Sequence, residues 1–230
     1  MKKYLIPFAF FLSSISLSGQ AKKTFKVEPG EKIVVAIPVS EIYTNAEFRM
    51  GTVALKNGTS ANVKLSYNSV FGEMQFIDPK KGDTISLAEE KNIRFVAIEK
   101  DTFYFDEAWL QVIDSDSTVK IGKKKLLEMT NKEKLGAMEV PGFGAIETYT
   151  KFTGSQHMKD IVAKERLTFT EHNSYYFGDR FNHFSKANKK NLLNLYRNHD
   201  KEIEDWLKAT EIDFSNEKDL KRLFNFLRAL

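Results

Sequence analysis

The chain of 230 residues contains no cysteine. This excludes disulfides, thiolate metal sites, cysteine nucleophiles and the lipidated cysteine of a bacterial lipoprotein. Proline is sparse, with five in all, and tryptophan occurs twice. Nucleotide-binding glycine patterns are missing too. There is no Gly-x-Gly-x-x-Gly, no Walker loop and no Gly-x-Ser-x-Gly elbow, and Gly142-x-Gly144 is only a fragment of such a loop. Apart from the first twenty residues, no run is long and apolar enough to cross a bilayer as a helix.

The exception lies at the start. Lys2 and Lys3 precede an apolar run from Tyr4 to Leu12, which thins into Ser13, Ser14, Ser16 and Ser18. Charge, apolar run and small residues in that order read as a secretory signal peptide over residues 1–20, cut after Gly19 or after Ala21. The run is too short, and too rich in serine, for a membrane anchor. The expected location is therefore extracytoplasmic, most simply the periplasm, soluble or peripheral to the outer membrane.

Net charge bears on partners. The formal charge of +4 includes Lys2 and Lys3, and their loss with a segment that holds no acid leaves about +2. Lys120, Lys123, Lys124, Lys125, Lys132 and Lys134 cluster, but Glu128 and Glu133 interrupt them. The reading is a solvated charged edge or turn, and no nucleic acid is expected as a partner.

From Thr24 to about Met129 the hydrophobic pattern has period two, with turn residues every eight to twelve positions. That pattern predicts antiparallel β structure. Ile33 to Val39 is β-branched and reads as a strand. Phe48, Met50, Val53 and Leu55 lead to Asn57-Gly58, the signal for a two-residue hairpin, and Val63, Leu65 and Tyr67 alternate with Lys64 and Ser66 on the return. Periodicity lapses over about 130–165, where Val140-Pro141-Gly142-Phe143-Gly144-Ala145 marks a loop or boundary. Leu167–Phe169 and Tyr175–Phe177 read as a possible extra strand pair.

A helical period then takes over. Leu192, Tyr196, His199, Ile203, Trp206 and Leu207 form one stripe. A second helix starts at Ser215 or Asn216 and buries Leu220, Leu223, Phe224 and Leu227. The expected fold is α+β and mainly β: an antiparallel β sandwich or rolled sheet, followed by two C-terminal amphipathic helices. Along the chain this gives a signal peptide at 1–20, a β domain at 21–130, an irregular connection at 131–185 and a helical pair at 186–230.

Several segments together carry a resemblance: Tyr67-Asn68, Glu73-Met74-Gln75-Phe76, Ile98 to Phe103, and the stretch from Asn188 through Glu211-Ile212-Asp213-Phe214 and Glu217-Lys218-Asp219-Leu220 to Leu227. They resemble a group of uncharacterised exported proteins of Bacteroidota-type bacteria. The resemblance implies location and a β-rich architecture with a C-terminal helical pair. It carries no activity.

Candidate chemistry is thin. The histidines are His157, His172, His183 and His199, and a metal-dependent hydrolase built on His172, Asp179 and His183 is the one enzymatic alternative. The spacing of His172 and His183 fits no compact ligand motif. His199 reads as a partly buried packing residue, and Asp114-x-Asp116 as turn chemistry beside Ser115 and Ser117. Asp106 and Glu107, as neighbours on an extended strand, would point to opposite faces. Phe143 and Tyr175-Tyr176-Phe177 read as packing rather than a stacking surface for sugar or peptide. No residue is assigned as catalytic, binding or metal-ligating, and no cofactor is implied. The expected role is a non-catalytic binding or structural module of the cell envelope, with another envelope protein or a surface polymer as partner. N-terminal sequencing of the exported product should begin at Gln20 or Lys22; a chain retaining Met1 would overturn the signal-peptide reading.

Overall fold

The computed structural model describes residues 22–116, 118–133 and 160–230. The expected signal peptide at 1–20, the Pro141-Gly142-Phe143 stretch and His157 lie outside the described residues.

Among the described residues, eleven strands form one antiparallel open sheet. They are β1 (Thr24–Val27), β2 (Arg49–Leu55), β3 (Ser60–Asn68), β4 (Glu73–Ile77), β5 (Thr84–Ser86), β6 (Ile93–Ile98), β7 (Asp101–Asp106), β8 (Ala108–Ser115), β9 (Lys120–Glu133), β10 (Arg166–Gly178) and β11 (Phe184–Lys186). The order across the sheet is β1-β10-β9-β8-β7-β6-β2-β3-β4-β5, and β11 also pairs with β10. Helices α1 (Ile33–Ala36) and α2 (Val39–Ile42) lie near the start; α3 (Lys189–Leu195), α4 (Asp200–Ala209) and α5 (Glu217–Leu227) close the chain. The architecture is thus mainly β with helices near the C-terminus, and no helix among the described residues is long and apolar enough to cross a membrane.

Three apolar clusters hold it together. Val53, Leu65, Met74, Val96, Phe103 and Trp109 centre one on the β2–β8 strands. A second packs Ile33, Ile37 and Ile42 against Leu127, Leu167 and Phe169. A third packs Leu192, Ile203, Leu220, Leu223, Phe224 and Leu227 against Ile121, Tyr175 and Phe177. The C-terminal helices are therefore part of the core, each fully buried Leu or Phe contributing about 1.5–3 kcal/mol of transfer free energy.

Several local expectations change. Ile33 to Val39 is not a strand: Ile37 N donates to Ile33 O at 2.8 Å and Tyr43 N to Val39 O at 2.8 Å, making two single helical turns around Pro38. Burial explains it. Ile33, Ile37 and Ile42 are fully buried while Val35 is exposed, a helical spacing imposed by packing on Leu127 and Phe169 that overrides β-branched preference. The hairpin at Asn57-Gly58 forms, but its loop has three residues: Gly58 N donates to Leu55 O at 3.1 Å and Leu55 N to Thr59 O at 2.8 Å. Gly58 has φ of +92°, the left-handed residue such a loop requires. Ser66, expected outside, is buried, with its hydroxyl donating to Asn45 O at 2.9 Å.

The two apolar pairs at 167–169 and 175–177 belong to a single strand, β10, paired with β9 along its whole length. Five polar residues between them hide the period without ending the strand. The single stripe expected from Leu192 to Leu207 is split into α3 and α4, with His199, half-buried, at the N-cap of α4. Tyr196 at the end of α3 has φ −117° and ψ 46°, which breaks the helix. The last helix agrees with its reading: Asn216 Oδ1 accepts from Lys218 N at 2.9 Å, and Leu220, Leu223, Phe224 and Leu227 are buried.

Gly51 on β2 tests the sheet packing. A Cβ there would stand 2.5 Å from the Ala97 carbonyl oxygen of β6, which is backbone and cannot turn aside. Gly51→Ala should cost about 2–3 kcal/mol in urea unfolding; an unchanged midpoint would mean that β2 and β6 separate more easily than this register implies.

Candidate functional site

Strict alternation on β9 and β10 decides what stands between the second and third clusters. Ile121, Lys123, Lys125 and Leu127 pair in register with Phe177, Tyr175, Asn173 and Glu171. Ile121 and Phe177 at one end enter the third cluster, and Leu127 at the other enters the second. Its middle is polar.

Each charge in that middle has a partner on a neighbouring element. Glu41 of α2 lies 2.8 Å from Lys23 Nζ and 3.4 Å from Lys125 Nζ, and Lys125 is 3.6 Å from Glu171. On the other flank Lys123 Nζ is 2.9 Å from Glu217 at the start of α5, and Glu217 also takes Lys221 at 2.8 Å. The hydrogen bond from Lys23, aided by Lys125, outweighs burial and holds the Glu41 carboxyl below the usual range. Burial acts to raise the Glu217 carboxyl, but Lys221 and Lys123 together leave it below the usual range as well. Burial, reinforced by Glu217, pushes the Tyr175 hydroxyl up to about 12.

Asn173 is the exception. Its Nδ2 donates to Glu171 Oε1 at 2.7 Å, which fixes the orientation of the amide, and its Oδ1 is buried with no donor among the described residues. Such an acceptor costs about 1–3 kcal/mol unless something supplies a donor. A recess of about 410 Å³ opens beside it, bounded by Tyr175, Lys186, Ala187 and residues 212–215. Asp213 Oδ1 accepts from the Ser215 hydroxyl at 2.6 Å and from Ser215 N at 2.8 Å, bonds that hold its carboxyl below the usual range. The Phe214 ring sits edge-on to Phe177. This wall is therefore anchored to the core.

The strand edge at the recess is also incomplete. Glu171 N donates to Lys23 O at 2.8 Å, where β1 leaves off, and Ala187 N donates to Tyr175 O at 2.8 Å, where β11 takes up. Alternation along β10 aims Glu171 C=O, Asn173 N–H, Asn173 C=O and Tyr175 N–H at the same side. These four groups have no partner among the described residues.

A larger, open recess of about 680 Å³ lies between the β2–β3 loop and Glu89, but none of its lining side chains carries an unpartnered buried polar atom. It has volume without chemistry.

The residues considered for a metal are not brought together. His183 Nδ1 is 3.4 Å from Asp179 in the β10–β11 turn, whereas His172 faces Glu128 at 3.9 Å. No group of three or more His, Asp or Glu among the described residues could hold a metal ion. Asp116 Oδ1 caps Thr118 N and Val119 N, the turn chemistry expected of it, and Asp114 pairs with Arg228. Asp106 and Glu107 are not strand neighbours: Glu107 occupies the β7–β8 turn with φ of +60°, and Asp106 accepts from Phe184 N at 2.7 Å. Tyr175 and Phe177 are core. Of the lysine cluster, Lys120 and Lys123 lie on β9 between β8 and β10, Lys124, Lys125 and Lys132 follow on the same strand opposite β10 alone, Lys123 and Lys125 are drawn into ion pairs, and Lys134 lies outside the described residues.

Asn173, Glu171, Glu41 and Glu217 escaped sequence reasoning. The signal that would have found the first two is an unbroken period of two from Leu167 to Phe177 with its polar positions in the middle. Comparison of the chain with protein-family models, with curated proteins and with solved structures gave no match.

The depressed carboxyls set an acid limit. Their folded pKa values lie below the ordinary 4.5, so the stability they contribute is present above about pH 4.5 and is lost as pH falls through the folded values. Thermal unfolding followed from pH 7 to pH 3 should show a shallower acid decline for the double variant Glu41→Gln, Glu217→Gln than for the parent. Identical slopes would show that these ion pairs do not govern acid stability.

Proposed function

We propose that this protein is an exported cell-envelope component that acts as a non-catalytic binding module, with the recess beside Asn173 as its contact site. The observation that carries the reading is the buried Asn173 Oδ1 without a donor among the described residues, set in a stripe where Lys123, Lys125, Glu41, Glu171 and Glu217 are paired. Paired charges suit a stripe that ties elements together, and an unmet acceptor beside a recess suits recognition. Export is supported by the order of Lys2, Lys3, apolar run and small residues at the start, and a periplasmic location follows as the simplest one. The absence of cysteine supports a chain without a lipid anchor. The partner in this reading is another envelope protein or a surface polymer, and the resemblance to exported Bacteroidota-type proteins supports the location.

The sheet in this reading is rolled rather than a sandwich. Leu127 N of β9 donates to Ser69 O, just past β3, at 2.8 Å, and the Tyr67 hydroxyl donates to Lys125 O at 2.9 Å. Both bonds join strands far apart in the sheet order, which favours curling of β3 back onto β9.

The test is a photo-reactive side chain at Ser215 in the full-length protein, irradiated in intact cells. The expected result is a defined adduct in the envelope fraction that is lost when Asn173→Leu is added to a chain that still folds. Recovery of the protein in the cytoplasm, or adducts indifferent to Asn173, would overturn the proposal.

A further inference from the structure

We infer that the open edge of β10 from Glu171 to Tyr175 takes the end or loop tip of an extended peptide as an added strand. This rests on the binding-module reading and names the class of partner.

The four open groups follow one another as acceptor, donor, acceptor and donor: Glu171 C=O, Asn173 N–H, Asn173 C=O and Tyr175 N–H. Their complement is donor, acceptor, donor and acceptor at a two-residue repeat. An extended polypeptide backbone supplies that series, and its main-chain bonds would give affinity without regard to side chains. An ion or a lone hydroxyl cannot satisfy all four.

Length sets the size of the segment. At roughly 3.3 Å per residue, the stretch from Glu171 to Tyr175 spans about 13 Å, room for about three paired residues. β1 occupies the edge up to Thr170 and β11 from Tyr176 onward, so a long strand cannot continue in either direction. A chain end or a loop tip can enter. The recess of about 410 Å³ on the same side has space for a side chain between Tyr175 and the anchored Asp213-Phe214-Ser215 turn. Asn173 Oδ1, in an amide oriented by its bond to Glu171, is a further buried acceptor beside this edge with no donor among the described residues. Ion pairing of Glu171 with Lys125 keeps that carboxylate from competing for the amide donors.

The test uses the full mature chain and N-acetyl trialanine amide as probe, with the analogue N-methylated at its middle residue as control. Affinity for so small a probe should be on the order of 1 mM. At saturation, hydrogen exchange of the Asn173 and Tyr175 amides, read by NMR, should slow at least about tenfold. The Lys124 amide, on the neighbouring strand, should not change. The methylated control should leave both β10 amides as they were, and Asn173→Ala should weaken binding about fivefold while preserving the fold.

Unchanged Asn173 and Tyr175 amides at the solubility limit of the probe, or equal protection by the methylated control, would overturn the inference. If the amides stay silent while the Ser215 adduct still depends on Asn173, this inference fails and the binding-module reading stands. If the peptide protects the amides but no envelope adduct forms, the reverse holds.

Discussion

The pairing of β9 with β10 is the constraint on which the rest depends. It is the longest ladder in the sheet, running from Arg166 opposite Glu133 to Gly178 opposite Lys120. Because side chains alternate, one face of this ladder must serve everything placed against it. Leu127 and Phe169 receive the N-terminal turns at one end, and Ile121 and Phe177 receive the C-terminal helices at the other. A slip of one residue would turn both apolar ends outward together, so both packing events hold the same register. The irregularity at Thr168/Phe169 falls where β1 joins, which confines it to one end.

The polar middle follows from this arrangement. Two apolar caps on one strand pair leave a gap, and the residues facing it are shielded from water without being fully enclosed. Charges there lose hydration, and pairing offsets the loss: Lys123 meets Glu217, and Lys125 meets Glu41 and Glu171. Each pair also ties a cap to the sheet. Glu41 belongs to the N-terminal turns and Glu217 to the last helix, so the stripe links elements that share no apolar contact within one cluster. Asn173 is neutral and half satisfied in the midst of this network. A buried amide oxygen without a donor is uncommon in a folded protein, and a recess and an open strand edge lie at the same place.

How much was legible in the sequence varied with how local the cause was. Asn57-Gly58 announced its hairpin because a left-handed glycine is a property of the turn alone, although the loop length depended on how β2 and β3 end. Asn216 and the stripe Leu220, Leu223, Phe224 and Leu227 were readable because capping and a 3.6 period are carried by one segment. Ile33 to Val39 misled, since its β-branched residues answer to burial against Leu127 and Phe169, nearly a hundred residues or more away. The polar run from Thr170 to Ser174 disguised β10 for a related reason: Glu171 is matched to Lys125 and His172 faces Glu128, both on the neighbouring strand, which no local pattern reveals. The site was invisible because Asn173 matters only through what fails to reach it.

The sequence by itself determined a mainly β chain with a cysteine-free core, its turns, and the amphipathic helices at its end, because each of these rests on periodicity and on residues close together in the chain. Tertiary structure alone decided which lysines are paired, where β1 and β11 stop along β10, and that the Asn173 amide oxygen has no donor among the described residues. Those outcomes depend on burial and on contacts between segments far apart, and burial is a property of the assembled sheet rather than of any stretch of it.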